Sequence, residues 1–195
     1  MIVVASPEQA EVLLRAGQLD CPHCSCTLRA HGHGRTRTVR GLGNEQVMVR
    51  PRRARCQGCQ ATHVLLPASL VLRRADTAEV IGTALAVKAR GGGYRTIAAQ
   101  LGRPVSTVRR WLRRAHQPHT RWLREHGVQH AYRADPDILN TRLAWPTPLG
   151  DALNLLAGAA VACQRRWDST LPVWTLIGIF TRGQLLPPPR PPRRI

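Results

Sequence analysis

Two matched cysteine pairs constrain this chain more than any other feature in it. Cys21-Pro22-His23-Cys24 and Cys56-Gln57-Gly58-Cys59 are both C-x2-C units, with residues 25–55 between them. In such a unit both thiolates sit on one tight turn, so each unit supplies two corners of a tetrahedron. Two units close a site with Zn–S near ~2.3 Å. A redox C-x-x-C needs one motif rather than two of matched form, and a reducing cytoplasm disfavours a disulfide. Cys21, Cys24, Cys56 and Cys59 are therefore the expected ligands of a structural Zn2+. Cys26, His23 and His63 are nearby alternatives, but each breaks the symmetric spacing. Four protein ligands leave no open position for water, which argues against metal catalysis. Cys163 lies in an apolar helical stretch and is expected in a core.

The pattern around the pairs alternates as strands do. Residues 27–31, 36–40, 46–50 and 62–66 are candidate strands, with turns at 31–34 and 41–44. Residues 20–67 thus form a small β zinc ribbon, too small to bury enough surface without metal. The N-terminal unit, 1–19, carries a short helix over 7–16. After the ribbon the period becomes helical. Asp76 with Glu79 forms a capping-box-like start to a helix over 77–90, and Gly91-Gly92-Gly93 breaks it. Shorter helices follow over 94–101, 105–115 and 119–131. The expected class is α+β: the ribbon, then a mainly α-helical DNA-binding domain over 70–132, then C-terminal helices. Residues 133–149, with Pro136, Pro146 and Pro148, read as a linker. The C-terminal helices occupy 150–183, and residues 184–195 read as a disordered Pro/Arg tail.

Within the helical domain, residues 94–112 have the marks of a helix-turn-helix. Ala98 is small where a second helix must pack, Gly102 permits a positive φ at the turn, and Pro104 presets the next helix. Ile97, Leu101, Val108, Trp111 and Leu112 supply the shared core. Ser106, Thr107, Arg109 and Arg110 remain outside it, on the half of the helix that enters a major groove. Arg95, Arg103, Arg113 and Arg114 are placed for phosphates. An ordinary αα-hairpin with a solvated basic face is the plainer reading, and charge weighs against it. The chain has 29 Lys+Arg against 11 Asp+Glu, a net charge of +18 and a pI near 11.6. Between Gln46 and Arg124 the only carboxylates are Asp76 and Glu79. Arginine in that excess suits phosphate and guanine, through its planar fork of donors.

The order of C-x2-C, the Arg-rich stretch Val49-Arg50-Pro51-Arg52-Arg53-Ala54-Arg55 leading into Cys56, Thr62-His63 and then a helix-turn-helix resembles the N-terminal region of certain bacterial insertion-sequence transposases. It is also similar to small stand-alone zinc-ribbon/helix-turn-helix proteins of unknown role. The likeness covers roughly residues 20–115. It implies that the four cysteines hold zinc and that residues 106–113 read the element's ends; in the DNA-binding reading of the charge, Arg50, Arg52 and Arg53 of the ribbon's Arg-rich strand clamp backbone. The acidic-triad nuclease of those transposases does not carry over. Only Glu125, Asp135, Asp137, Asp151 and Asp168 follow the DNA-binding part, without strands to carry a two-metal carboxylate site.

The sequence therefore predicts a zinc-dependent, sequence-specific duplex DNA-binding protein, regulator-like or derived from a mobile element, and no enzyme. A basic ribbon that binds RNA or serves as a structural protein is the alternative, as is a truncated transposase. The ribbon has no aromatic platform for single strands, which weighs against RNA. The C-terminal apolar residues either pack on the helical domain or pair two chains as a homodimer. No stretch is long enough to span a membrane and no signal-peptide core is present, so a cytoplasmic, nucleoid-associated protein is expected.

Overall fold

A computed structural model of the chain describes residues 1–141 and 145–187. The β-branched run Ile2–Val4 forms β1, and α1 (Pro7–Arg15) follows under a Ser6 cap with Pro7 in its first turn. Four of the next strands fall on the alternating runs: β2 (Leu28–His33), β3 (Arg37–Arg40), β4 (Gln46–Val49) and β6 (Thr62–Pro67). The Arg-rich stretch ahead of Cys56 is β5 (Arg52–Cys56). The main sheet has the order β1-β6-β5-β2, and β3 and β4 form a separate hairpin between β2 and β5.

Two local expectations change. Residues 31–34 were expected as a turn, yet β2 runs on to His33. The register shifts between Ala30 and His33, with Gly32 at φ +64°, so the glycine makes an irregularity inside the strand. The N-terminal unit is not only a helix, because β1 pairs in parallel with β6, Ile2 opposite Leu65 and Val4 opposite Pro67. Three residues are too few to show alternation, and their partner lies some sixty positions away. Val4, Ala10, Leu14, Leu19, Leu28, Ala54 and Leu65 pack together around Cys21 and Cys56.

The helices are α2 (Ala78–Ala89), α3 (Tyr94–Leu101), α4 (Val105–Arg114), α5 (Gln117–Ala134), α6 (Ile138–Thr141), α7 (Pro148–Arg166) and α8 (Val173–Phe180). Among the described residues the protein is thus α+β, with a small sheet and eight helices. Helix α2 is central: Val80, Ile81, Ala84 and Leu85 are fully buried in one cluster with residues of α3, α4, α5, α7 and α8. Arg124 meets Asp151, Gly127 abuts Leu155, and Arg166 reaches the Ala134 carbonyl, so α5 and α7 run side by side in the same direction. Gly127 allows that approach, because a Cβ there would stand 2.8 Å from the Leu155 Cβ.

The supposed linker over 133–149 is largely structured. Helix α5 extends to Ala134, Ile138 and Leu139 of α6 pack against the helical core, and α7 begins at Pro148 under the Thr147 side chain. Pro148 is a first-turn proline, where its missing N–H costs nothing. Most of the C-terminal apolar residues settle within the chain: Leu153, Leu155, Leu156, Leu176, Ile177 and Phe180 are buried in the helical core, Trp174 is half-buried against it, and Trp167 stays exposed. The expected tail begins too early at 184. Leu185 and Leu186 are buried, and Gly183 accepts a hydrogen bond from the Leu72 amide. Residues 188–195 of that tail lie outside the described residues. No helix among the described residues is long and apolar enough to cross a membrane.

Candidate metal centre and basic face

The two cysteine turns are built alike. The Cys21 amide donates to the Cys26 carbonyl at 2.9 Å, and the Cys56 amide donates to the Ala61 carbonyl at 2.9 Å. Ser25 and Gln60, each four residues after the first cysteine of its pair, both take positive φ, 57° and 61°. Each turn therefore curls its two thiols to one side. Adjacent strands bring the turns together, since β2 pairs with β5 at Leu28 opposite Cys56. The Sγ atoms of Cys21 and Cys59 are 3.6 Å apart, those of Cys24 and Cys56 3.4 Å, and all four lie within 4.8 Å of one another.

These spacings fit a four-coordinate ion. A tetrahedron of thiolates at ~2.3 Å from a metal sets the sulfurs about 3.8 Å apart, and all the cysteines are free rather than bridged. The Cys26 and Cys59 amides and the Cys56 thiol hold the Cys24 thiol down at about 6, the Cys26 amide contributing most. At Cys59 the Ala61 amide pulls down, but burial and the thiols of Cys21, Cys24 and Cys56 win, and the group is pushed up to about 12. One thiolate makes the next costly, and a cation among them removes that cost. Four cysteines placed so could hold a metal ion.

Cys26 occupies the position that Ala61 holds in the other turn, so the symmetry leaves it outside the set. Its exposed thiol is pushed up by the neighbouring Cys24. His63 is the residue whose role spacing did not reveal. It is buried, with Nε2 3.4 Å from the Cys21 Sγ, and its ring stands edge-on to His23 at 5.2 Å. Cys21, His23 and His63 also lie within 4.8 Å of one another. Burial lowers the His63 pKa, keeping the ring neutral. The contact matches an imidazole that orients a ligand sulfur from outside the four-cysteine set. Strand β6 aims it: His63 lies opposite Ala54, two positions from Cys56 on β5. His126 and His130, spaced four apart on α5, instead pack on Trp122 and Phe180.

The α3–α4 corner follows its residues closely. Gly102 ends α3 in the left-handed region at φ +60°, and Pro104 precedes α4. Ile97, Ala98, Leu101, Val108 and Trp111 are buried, while Ser106, Arg109, Arg110 and Arg113 are exposed and Thr107 and Arg114 half-buried. Arg95 and Arg109 each lie 5.8 Å from the centre of the Tyr94 ring, so one aromatic face organises two of the cations.

Two of the expected phosphate contacts are engaged inside the molecule. Arg103 is buried: its Nε donates to the Asp76 Oδ1 at 2.7 Å, and its other nitrogens reach the carbonyls of Leu101 and Gly41. Asp76 also pairs with Arg40 at 2.8 Å. It is a buried counter-ion rather than a helix cap, and Thr77 caps α2 in its place. Arg52 pairs with Glu11 at 2.7 Å and donates to the Gly32 carbonyl. Exposed Arg50 lines an open groove of about 660 Å³ that also carries Glu8, Glu11, Glu45 and Glu79. Arg53 is half-buried on β5. The cations beside α4 are instead Arg40, Arg73 and Arg74, three residues that charge counting alone did not single out.

Residues 21–111 match a family described as a domain of unknown function (DUF6431). No curated protein and no solved structure matches the chain. The matched span opens at the first cysteine of the cluster and closes at Trp111 in the core of α4, so it takes in the cysteine turns and the α3–α4 corner together.

Proposed function

We propose that this chain is a zinc-stabilised, sequence-specific duplex DNA-binding protein. The cysteine turns form a zinc ribbon, α3 and α4 form a helix-turn-helix, and α4 reads bases. The observation that carries this reading is α4 itself. Val108 and Trp111 anchor its inner side, while Ser106, Arg109, Arg110 and Arg113 project outward beside no carboxylate of their own helix. A helix presented with bare arginine and serine, ahead of a left-handed glycine corner, suits a major groove. Zinc suits four thiolates at tetrahedral spacing and would act structurally, with no position open for chemistry.

On this reading the protein is not an enzyme. Of the apolar residues that suggest a dimer through the C-terminal helices, the leucines, Ile177 and Phe180 are buried within the chain, while Trp167 stays exposed, so a homodimer is kept as part of the reading to be tested. The reading is tested by selecting sites from a random duplex library with zinc-loaded protein at physiological salt. An enriched motif is expected, with affinity falling steeply as salt rises. Retention of bulk nucleic acid without enrichment, or preference for RNA over every duplex, would sink it. The symmetry of an enriched motif separates one bound chain from two.

A further inference from the structure

A cleft of about 260 Å³ lies between the hairpin, the approach to α2 and the side of α4, lined by Arg40, Arg73, Arg74, Thr107, Arg110 and Arg114. Its walls are tied together. The Arg40 amide donates to the Ala75 carbonyl at 2.9 Å, and the Thr77 amide returns a bond to the Arg40 carbonyl at 3.0 Å. Five guanidinium groups therefore face one small space held by backbone. The only carboxylate in its lining is Asp76, and that one charge is shared between Arg40 and the buried Arg103. Burial, then the charges of Arg114 and Arg110, push Arg74 below its ordinary range.

The deeper pair, Arg74 and Arg114, share one main-chain acceptor. The Pro187 carbonyl takes one bond from Arg74 at 3.2 Å and one from Arg114 at 3.4 Å. The Nε atoms of Arg40 and Arg74 are buried without a hydrogen-bond partner among the described residues. One carboxylate, itself shared with Arg103, is a small counter-charge for so many arginines, whereas a tetrahedral oxyanion presents several charged acceptors at once.

We propose that this cleft seats one backbone phosphate of bound duplex DNA, an inference that rests on the DNA-binding reading above. It divides the exposed side of α4 into two stripes. Thr107, Arg110 and Arg114 recur at helical spacing and face the phosphate. Ser106, Arg109 and Arg113 form the adjacent stripe and face the bases. Arg40, Arg73 and Arg74, which come from outside α4, fix how deep and at what angle the helix lies in the groove.

The test compares the full-length, zinc-loaded chain with Arg74→Gln and with Arg73→Gln, the latter altering an exposed residue so that folding is preserved. Duplex affinity is measured across a salt series, on a selected site and on an unrelated duplex. Each variant is expected to lose roughly tenfold in affinity on both duplexes, with the salt slope reduced by about one. Arg109→Gln should instead lose more on the selected site. A parallel calorimetric titration with inorganic phosphate, without DNA, is expected to show weak uptake that Arg74→Gln abolishes. Wild-type binding to duplex with an unchanged slope in both variants would overturn the phosphate seat and leave the DNA reading intact. Uptake of inorganic phosphate that depends on Arg74, with no duplex binding by the wild type, would overturn both, and assign the cleft to a free phosphate.

Discussion

The sheet and the helical block are close neighbours with different sources of stability. In the sheet, the buried cluster counts Cys21 and Cys56 among its members, and β2 is exposed along nearly its whole length beyond Leu28. In the helical block, α2, α5, α7 and α8 bury leucine, isoleucine and alanine against one another, and Leu185 and Leu186 complete that core. One region brings four thiols together and has little apolar surface to hold them there. The other packs closely enough that glycine is needed where helices touch. Their junction combines apolar packing with a buried ion pair: Leu66 and Leu70 cluster with Val39 and Val49 of the hairpin, and Asp76, ahead of α2, binds Arg40 from the hairpin and Arg103 from the α3–α4 corner. A chain can thus join a small sheet built around four thiols to a helical block built on apolar packing, and register the two through a buried carboxylate.

Removing the metal should give the largest effect. Apparent binding energies of structural zinc run to about 10–16 kcal/mol, so a chelator, or Cys56→Ser, should unfold the sheet. Hydrogen exchange should then open the amides of β2, β5 and β6 while those of α5 and α7 stay protected. Simultaneous opening of all of them would show that the two regions fold as one and break the contrast. Next comes the junction. Asp76→Asn leaves Arg103 buried without its counter-ion, and loss of one partner from a buried pair costs about 3–5 kcal/mol. Denaturant unfolding of the metal-loaded protein measures this; a loss under about 1 kcal/mol would assign the pair to the surface class.

Smaller effects sharpen the helical side. A Cβ at Gly178 of α8 would collide with the Ala68 carbonyl oxygen. Gly178→Ala should therefore cost about 1–3 kcal/mol by overpacking, read as a lower midpoint with zinc content unchanged. The smallest effect is a pH response. His130 stacks on Phe180 at 4.1 Å, and burial, then Arg133, His126 and Arg182, hold its pKa down from 6.5 to about 4. Between those values the unfolded chain binds a proton that the folded chain refuses. Stability from this group is complete above pH 6.5 and declines as pH falls toward 4. After allowance for solvent screening the decline is on the order of 1–2 kcal/mol. Exchange of α5 and α8 amides at pH 7 and pH 5 checks it, and His130→Gln should flatten the response.

Much of the candidate site is legible residue by residue, because its determinants are local. A C-x2-C unit closes its own turn, so the four cysteines could be named from spacing. A glycine three residues before Val105, small Ala98, and apolar positions at helical period placed the ends of α3 and the start of α4 where the structure has them. Failures came where a side chain's fate depends on distant partners. Arg103 sits in the same basic run as Arg109 and Arg110, and nothing beside it marks it as buried. Its burial follows from Asp76, 27 positions away, and from the carbonyl of Gly41, 62 positions away. Arg52 is withdrawn in the same way by Glu11.

The sequence by itself determined most of the helices and ribbon strands, the cysteine set and the excess of positive charge, since helical period, turn chemistry and composition act over a few residues. Only the tertiary structure decided which arginines face solvent. It also decided that His63 stands against a cysteine sulfur, that Leu185 and Leu186 belong to the core, and that Arg40, Arg73 and Arg74 converge beside α4. Those outcomes depend on desolvation and charge pairing between segments far apart in the chain. A guanidinium is buried or exposed according to what the fold brings within about 3 Å of it.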